Sequence, residues 1–160
     1  MIPVLLPMLL CGCHPTVGQI KSLAAIGAMD DLSESGFFYV FFRNSDESVG
    51  ASIRLEGTPA DGLRFDLAES EEVRMRLQTG HWVFDPFREI CGEGGGERID
   101  ETFDSTSGSV QIDHVTVEPV KFSLSVSDLT LSSDAEDIRV GDATWDAIEY
   151  LGDAGGCFGW

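Results

Sequence analysis

The stretch Val120-Lys-Phe-Ser-Leu-Ser-Val-Ser127 decides the fold class. Val120, Phe122, Leu124 and Val126 alternate strictly with Lys121, Ser123, Ser125 and Ser127. Successive side chains of a strand point to opposite faces, so this segment has one dry face and one wet face. That is the pattern of an antiparallel sheet lying against a core.

The pattern extends in both directions, with slips. Leu129 and Leu131 continue in the opposite phase, which puts a turn or bulge near Ser127-Asp128. Upstream, Val110 and Ile112 alternate, and Val115 and Val117 resume one residue out of step. A bulge at Asp113-His114 accounts for that slip. Downstream, Ile138 and Val140 precede Gly141-Asp142, a turn signal. Ala143, Trp145 and Ala147 then alternate, and Ile148 and Tyr150 follow in shifted phase.

Nearer the N-terminus, Phe37-Phe-Tyr-Val-Phe-Phe42 is continuously apolar, as in a strand buried on both faces. Asn44-Ser-Asp-Glu-Ser48 reads as a turn. The sets Ala51/Ile53/Leu55, Leu63/Phe65/Leu67 and Val73/Met75/Leu77 alternate with polar residues. His81-Trp-Val-Phe84 is a further strand candidate, and Cys91-Gly-Glu-Gly-Gly-Gly-Glu97 a loop. Ile99–Phe103 reads as a short edge strand, ended by a turn at Asp104-Ser-Thr-Ser-Gly108. Strands at this spacing predict an all-β chain, an antiparallel β-sandwich or small barrel of roughly eight to ten short strands. The single β domain is expected over 37–160. Residues 13–36, with weak helical spacing at Ile20, Leu23, Ala24 and Gly27, read as a tether that includes a short helix at most.

The first residues have a different character. Ile2–Leu10 is apolar and uncharged, too short to span a bilayer, which needs about 20 such residues. It ends in Leu10-Cys11-Gly12-Cys13. This resembles the type II signal peptide of bacterial lipoproteins, with its Leu-x-Gly-Cys motif. The resemblance covers about 13 residues. It implies a signal peptide over 1–12, lipidation at Cys13, export, and a membrane partner reached through the acyl anchor. No Lys or Arg precedes the run, which leaves open a start upstream of Met1. His14 after the acylated Cys, in place of Asp, implies the outer membrane, with the protein facing the periplasm or the cell surface.

Of the 160 residues, 28 are Asp or Glu and 10 are Lys or Arg, a formal charge of −18. The first twelve carry none of it. Nucleic acid is excluded as a partner, because phosphate binding needs basic patches. Anionic lipid head groups would repel such a surface, so attachment has to come from acyl chains. With Cys11 and Cys13 in the signal, Cys91 and Cys157 remain as a disulfide pair in an oxidising compartment. Such a bond would close a loop of about 66 residues and stabilise by roughly 4 kcal/mol.

Little in the chain speaks for catalysis. The glycine-rich loop lacks the Gly-Lys-Ser/Thr ending of a phosphate loop, and there is no Gly-x-Ser-x-Gly elbow. His14, His81 and His114 are too far apart to give metal-ligand spacing. The densest acidic loop, Asp134, Glu136 and Asp137 with Asp142 beyond, supplies calcium-type oxygens without the Asp-x-Asp-x-Asp-Gly spacing. Trp145 reads as core, Trp160 is expected to pack over the proposed disulfide, and Trp82 is open between core and surface. The expectation is a non-enzymatic, lipid-anchored envelope protein with a structural or binding role, touching other envelope proteins and needing no cofactor. Two alternatives stay open: a small-ligand or calcium-dependent binding module, and a secreted carbohydrate-active enzyme using paired carboxylates.

Overall fold

The computed structural model describes residues 14–31, 34, 36–68, 72–81 and 98–152. Among the described residues one helix, α1 (Val17–Lys21), precedes eight strands: β1 (Ala24–Asp30), β2 (Phe37–Arg43), β3 (Val49–Glu56), β4 (Arg64–Asp66), β5 (Arg74–His81), β6 (Arg98–Val117), β7 (Val120–Ser132) and β8 (Asp137–Glu149). They form a single antiparallel sheet in the order β1-β2-β3-β5-β6-β7-β8. The short β4 pairs with β6 at Arg64↔Gln111 and Asp66↔Ser109, beyond the stretch of β6 that pairs with β5. The all-β antiparallel expectation is met.

The sheet curls until its first and last strands meet. Leu151 N–H donates to the Ala28 carbonyl at 2.8 Å, and Asp30 N–H donates to the Gly152 carbonyl at 3.0 Å. Ala28 and Tyr150 form a parallel bridge there. The direction follows from counting. Each neighbour in the seven-strand path runs opposite to the last, so the first and seventh strands run the same way and can only close in parallel.

The alternating apolar residues fill the inside. Phe38, Phe42, Ile53, Met75, Leu77, Phe103, Ile112, Phe122, Leu124 and Trp145 all belong to one buried cluster. Aromatic rings join β2 to the strands it meets across the interior. Phe38 meets Phe122 and Tyr150 edge-on, with ring centroids 6.3 and 5.9 Å apart, and Phe42 meets Trp145 at 4.6 Å. β2 is also covered on its other side, as its unbroken apolar run predicts: Phe41, outside that cluster, is 1% exposed and stacks on Tyr39.

Three expectations change. The sheet begins at Ala24, inside the span read as a tether. Gly27 and a bulge between Ala25 and Gly27 break the period of two that would have marked the strand. Asp104–Gly108 is not a turn but the middle of β6. Its polar residues are spent on neighbours: Asp104 accepts from Arg76 at 2.8 Å, and Ser105 Oγ accepts from Met75 N–H at 3.0 Å. Gly141-Asp142 likewise lies inside β8, where the register shifts opposite Leu129 without reversing the chain.

The phase slips read from sequence are bulges. His114, Asp128 and Ala147 take left-handed φ values of 56°, 52° and 56°. Register shifts in the β6–β7 and β7–β8 ladders fall at these places. The Asn44–Ser48 turn is as expected, closed by Asn44 N–H to the Val49 carbonyl at 3.0 Å.

Candidate functional site

The N-terminal junction is where the fold meets the sequence motif. Thr16 caps α1, its hydroxyl accepting from Gln19 N–H at 3.2 Å while Gln19 Oε1 accepts from Thr16 N–H at 2.8 Å. This reciprocal cap lets a five-residue helix form in a chain with little helical propensity around it. Ile20 and Leu23 then enter the barrel core. Trp145 Nε1 donates to the Leu23 carbonyl at 2.9 Å, fixing the entry to β1 against β8.

His14 stands before this helix against the barrel wall. Its Nδ1 lies 3.2 Å from Glu101 Oε2 on β6 and 2.6 Å from Glu136 Oε1 in the β7–β8 turn. Ser133 Oγ donates to Glu101 Oε1 at 2.7 Å and receives the Ala135 and Glu136 N–H groups at 3.2 and 3.3 Å. Glu136 Oε1 is buried and no donor is aligned on it, so its 2.6 Å approach to the ring is close without hydrogen-bond geometry. The chain is therefore already in contact with the barrel at His14, the residue after Cys13.

The acidic residues weighed for calcium do not come together. Asp134 and Asp137 are exposed, and Glu136 faces His14. Asp142 accepts the Asp128 N–H at 3.1 Å, supporting a bulge. Among the described residues no group of three or more His, Cys, Asp and Glu side chains is arranged to hold a metal ion. The histidines do not meet: His81 ends β5, and His114 sits at its bulge with its N–H on Asp61 Oδ1 at 2.8 Å. Cys13, Cys91, Cys157, Trp82, Trp160 and the glycine-rich loop lie outside the described residues.

A cleft of about 470 Å³ opens in the seam between α1, the start of β1 and β8. Ala24–Ile26 line one side and Thr144–Glu149 the other, with Lys21 at one end. Beyond it the seam is locked. The Tyr150 hydroxyl donates to Asp30 Oδ1 in a short hydrogen bond. Burial, then that bond and the Asp30 charge, push the phenol well above its ordinary range. Asp146 and Glu149 stand on the rim of the cleft, both exposed, with Lys121 Nζ 3.9 Å from Glu149.

A second electrostatic knot holds the β1–β2 connection. Arg54 reaches Asp31 Oδ2 at 3.2 Å, pairs closely with Glu34, and lies 4.1 Å over the Phe37 ring. Burial pushes the guanidinium down, but the Glu34 bond and the charges of Tyr39, Asp31 and Glu34 outweigh it and hold it above its ordinary value.

The alternation marked the core, including Trp145. It gave no sign of the His14 contacts, the Tyr150–Asp30 lock or the cleft, whose partners lie some 90 to 120 positions apart in the chain. Set against protein-family models, curated proteins and solved structures, the chain matches none.

Proposed function

We propose that this chain is a lipid-anchored, non-enzymatic protein of the bacterial cell envelope. It is exported, cut before Cys13, acylated there, and held at the outer membrane with its barrel facing the periplasm or the cell surface. Its role is structural or binding, exercised on other envelope proteins through the outside of the barrel. Cys91 and Cys157 are proposed to form a disulfide after export.

The observation that carries this reading is the junction. The lipoprotein-like motif ends at Cys13, and the next residue, His14, already touches Glu101 and Glu136 on the barrel. A cut at that point would remove the motif and leave every described contact of the fold in place. An acyl group at Cys13 would then seat the barrel close to the bilayer rather than at the end of a long flexible leash.

Two further observations favour binding over chemistry. The interior is packed with aromatic and aliphatic side chains, as in small barrels that hold no ligand within. The carboxylates on the cleft rim, Asp146 and Glu149, are exposed. Paired-carboxylate chemistry places its acid in an enclosed apolar pocket, whereas both rim carboxylates face solvent.

Metabolic labelling tests the anchor. Wild type grown with a tagged fatty acid should carry the label and sediment with membranes. Cys13→Ser should lose the label and appear uncut. Label retained in Cys13→Ser, or none in wild type, would overturn the reading.

A further inference from the structure

We infer that the unpaired part of the seam is a docking groove for a cationic peptide in extended conformation, which adds as a strand between β1 and β8. Closure of this barrel is incomplete. The backbone bonds across the seam join Ala28–Asp30 to Leu151–Gly152, and next to them the strands part into the 470 Å³ cleft. Its two walls are the outer edges of strands paired with the sheet on their far side only, β1 through β2 and β8 through β7. Exposed strand edges of this kind accept an added strand through main-chain bonds.

Three features select the occupant. The first is direction. β1 and β8 run the same way, so a single incoming strand can lie antiparallel to both, the better pairing geometry. It would add an antiparallel stretch beside the parallel closure at Ala28–Asp30, which stays in place. The second is bulk. Ala24, Ala25 and Ala147 keep the walls low, while Ile26, 39% exposed, offers an apolar contact. The open ledge runs from Thr144 to Ile148, about 13 Å at strand rise and room for about four residues. At Glu149 the walls meet, since a Cβ on Gly27 would lie 3.4 Å from the Glu149 carbonyl oxygen. The third is charge. Asp146 and Glu149 edge the groove, against Lys21 at its end and Lys121 3.9 Å from Glu149, on a chain of formal charge −18. That charge favours a Lys- or Arg-bearing peptide and opposes a second copy of this chain. The bulge at Ala147 interrupts the ladder, so main-chain pairing is short and charge sets the selectivity. This surface does not depend on acylation of Cys13.

The test is an amide-resolved NMR titration of the full chain with a blocked pentapeptide alternating lysine and valine. Shifts should concentrate at Ala24–Ile26 and Thr144–Glu149 and fade with added salt. A nitroxide on the peptide's N-terminal end should broaden Glu149 more than Thr144, reporting the antiparallel direction. Asp146→Lys, at an exposed position, should keep the spectrum of the fold and weaken binding about fivefold. The inference is overturned by no shift at millimolar peptide, by shifts scattered over the acidic surface, or by an equal response to an alternating glutamate–valine peptide. Broadening of the same amides with protein concentration alone would assign the groove to a second copy and overturn it as well. None of these readouts involves the lipid, so failure here is separate from failure of the anchor.

Discussion

At the scale of single residues, Trp145 and Gly80 show what alternation can and cannot reveal. Trp145 lies in phase with Ala143 and Ala147, and it is buried, 6% exposed. Its indole N–H also satisfies the Leu23 carbonyl at the point where the helix hands over to β1. Phenylalanine would keep most of the packing and orphan that carbonyl. Trp145→Phe is expected to cost about 2 kcal/mol, read from urea unfolding midpoints. Gly80 is different, because nothing in the sequence marks it as indispensable. Its backbone sits at φ 155°, and a Cβ there would stand 1.9 Å from the Arg98 carbonyl oxygen on β6. Gly80→Ala should therefore destabilise by about 3 kcal/mol or more. Gly18 in α1 is the control, with its nearest atom 3.8 Å from an added Cβ. Gly18→Ala should stabilise by about 0.5–1 kcal/mol.

At the scale of elements, most strands were legible because they bury one face, and a period of two survives in sequence. The bulges were legible for the same reason, since each inserted residue shifts the phase. The slips at Asp113-His114, Ser127-Asp128 and Ala147-Ile148 each coincide with a left-handed residue. Turn composition was the misleading signal. Asp, Ser and Gly at 104–108 and 141–142 suit a reversal and a bulge equally well, and only the partner strand decides. The ladder decides here, carrying β6 and β8 straight through. β1 escaped notice because its inward set is small and broken at Gly27. The bulge at Ala147 yields a prediction. An L residue with a Cβ pays a steric cost at φ 56°, which glycine does not. Ala147→Gly should raise the unfolding midpoint, with a gain of about 1 kcal/mol. A loss of stability would mean that the methyl group packs more than it strains.

At the scale of the whole molecule, the barrel depends on a seam that only tertiary structure creates. Tyr150 donates to Asp30 there, across a sequence separation of 120 positions. An unfolded phenol ionises near pH 10. In the folded chain the group is raised, first by burial and then by Asp30. The native state thus holds the proton more tightly, and the stabilisation is complete below about pH 10 and lost as pH rises past it. Urea midpoints of wild type should fall steeply from about pH 10 upward. Tyr150→Phe should lack this component. A wild-type profile parallel to that of Tyr150→Phe would remove the lock from the account.

The seam, the His14 contacts and the cleft were unreadable in advance, because each joins residues some 90 to 120 positions apart. The proposed anchor rests on a local motif, Leu10-Cys11-Gly12-Cys13, and so can be argued from sequence alone. The intact mass of the protein recovered from its native membrane fraction tests the central claim most directly. The account predicts a chain that begins at Cys13, carries added acyl mass there, and shows Cys91 and Cys157 joined, two hydrogens lighter than the dithiol. A chain that is uncut, bears no lipid and is found in the soluble fraction would contradict it.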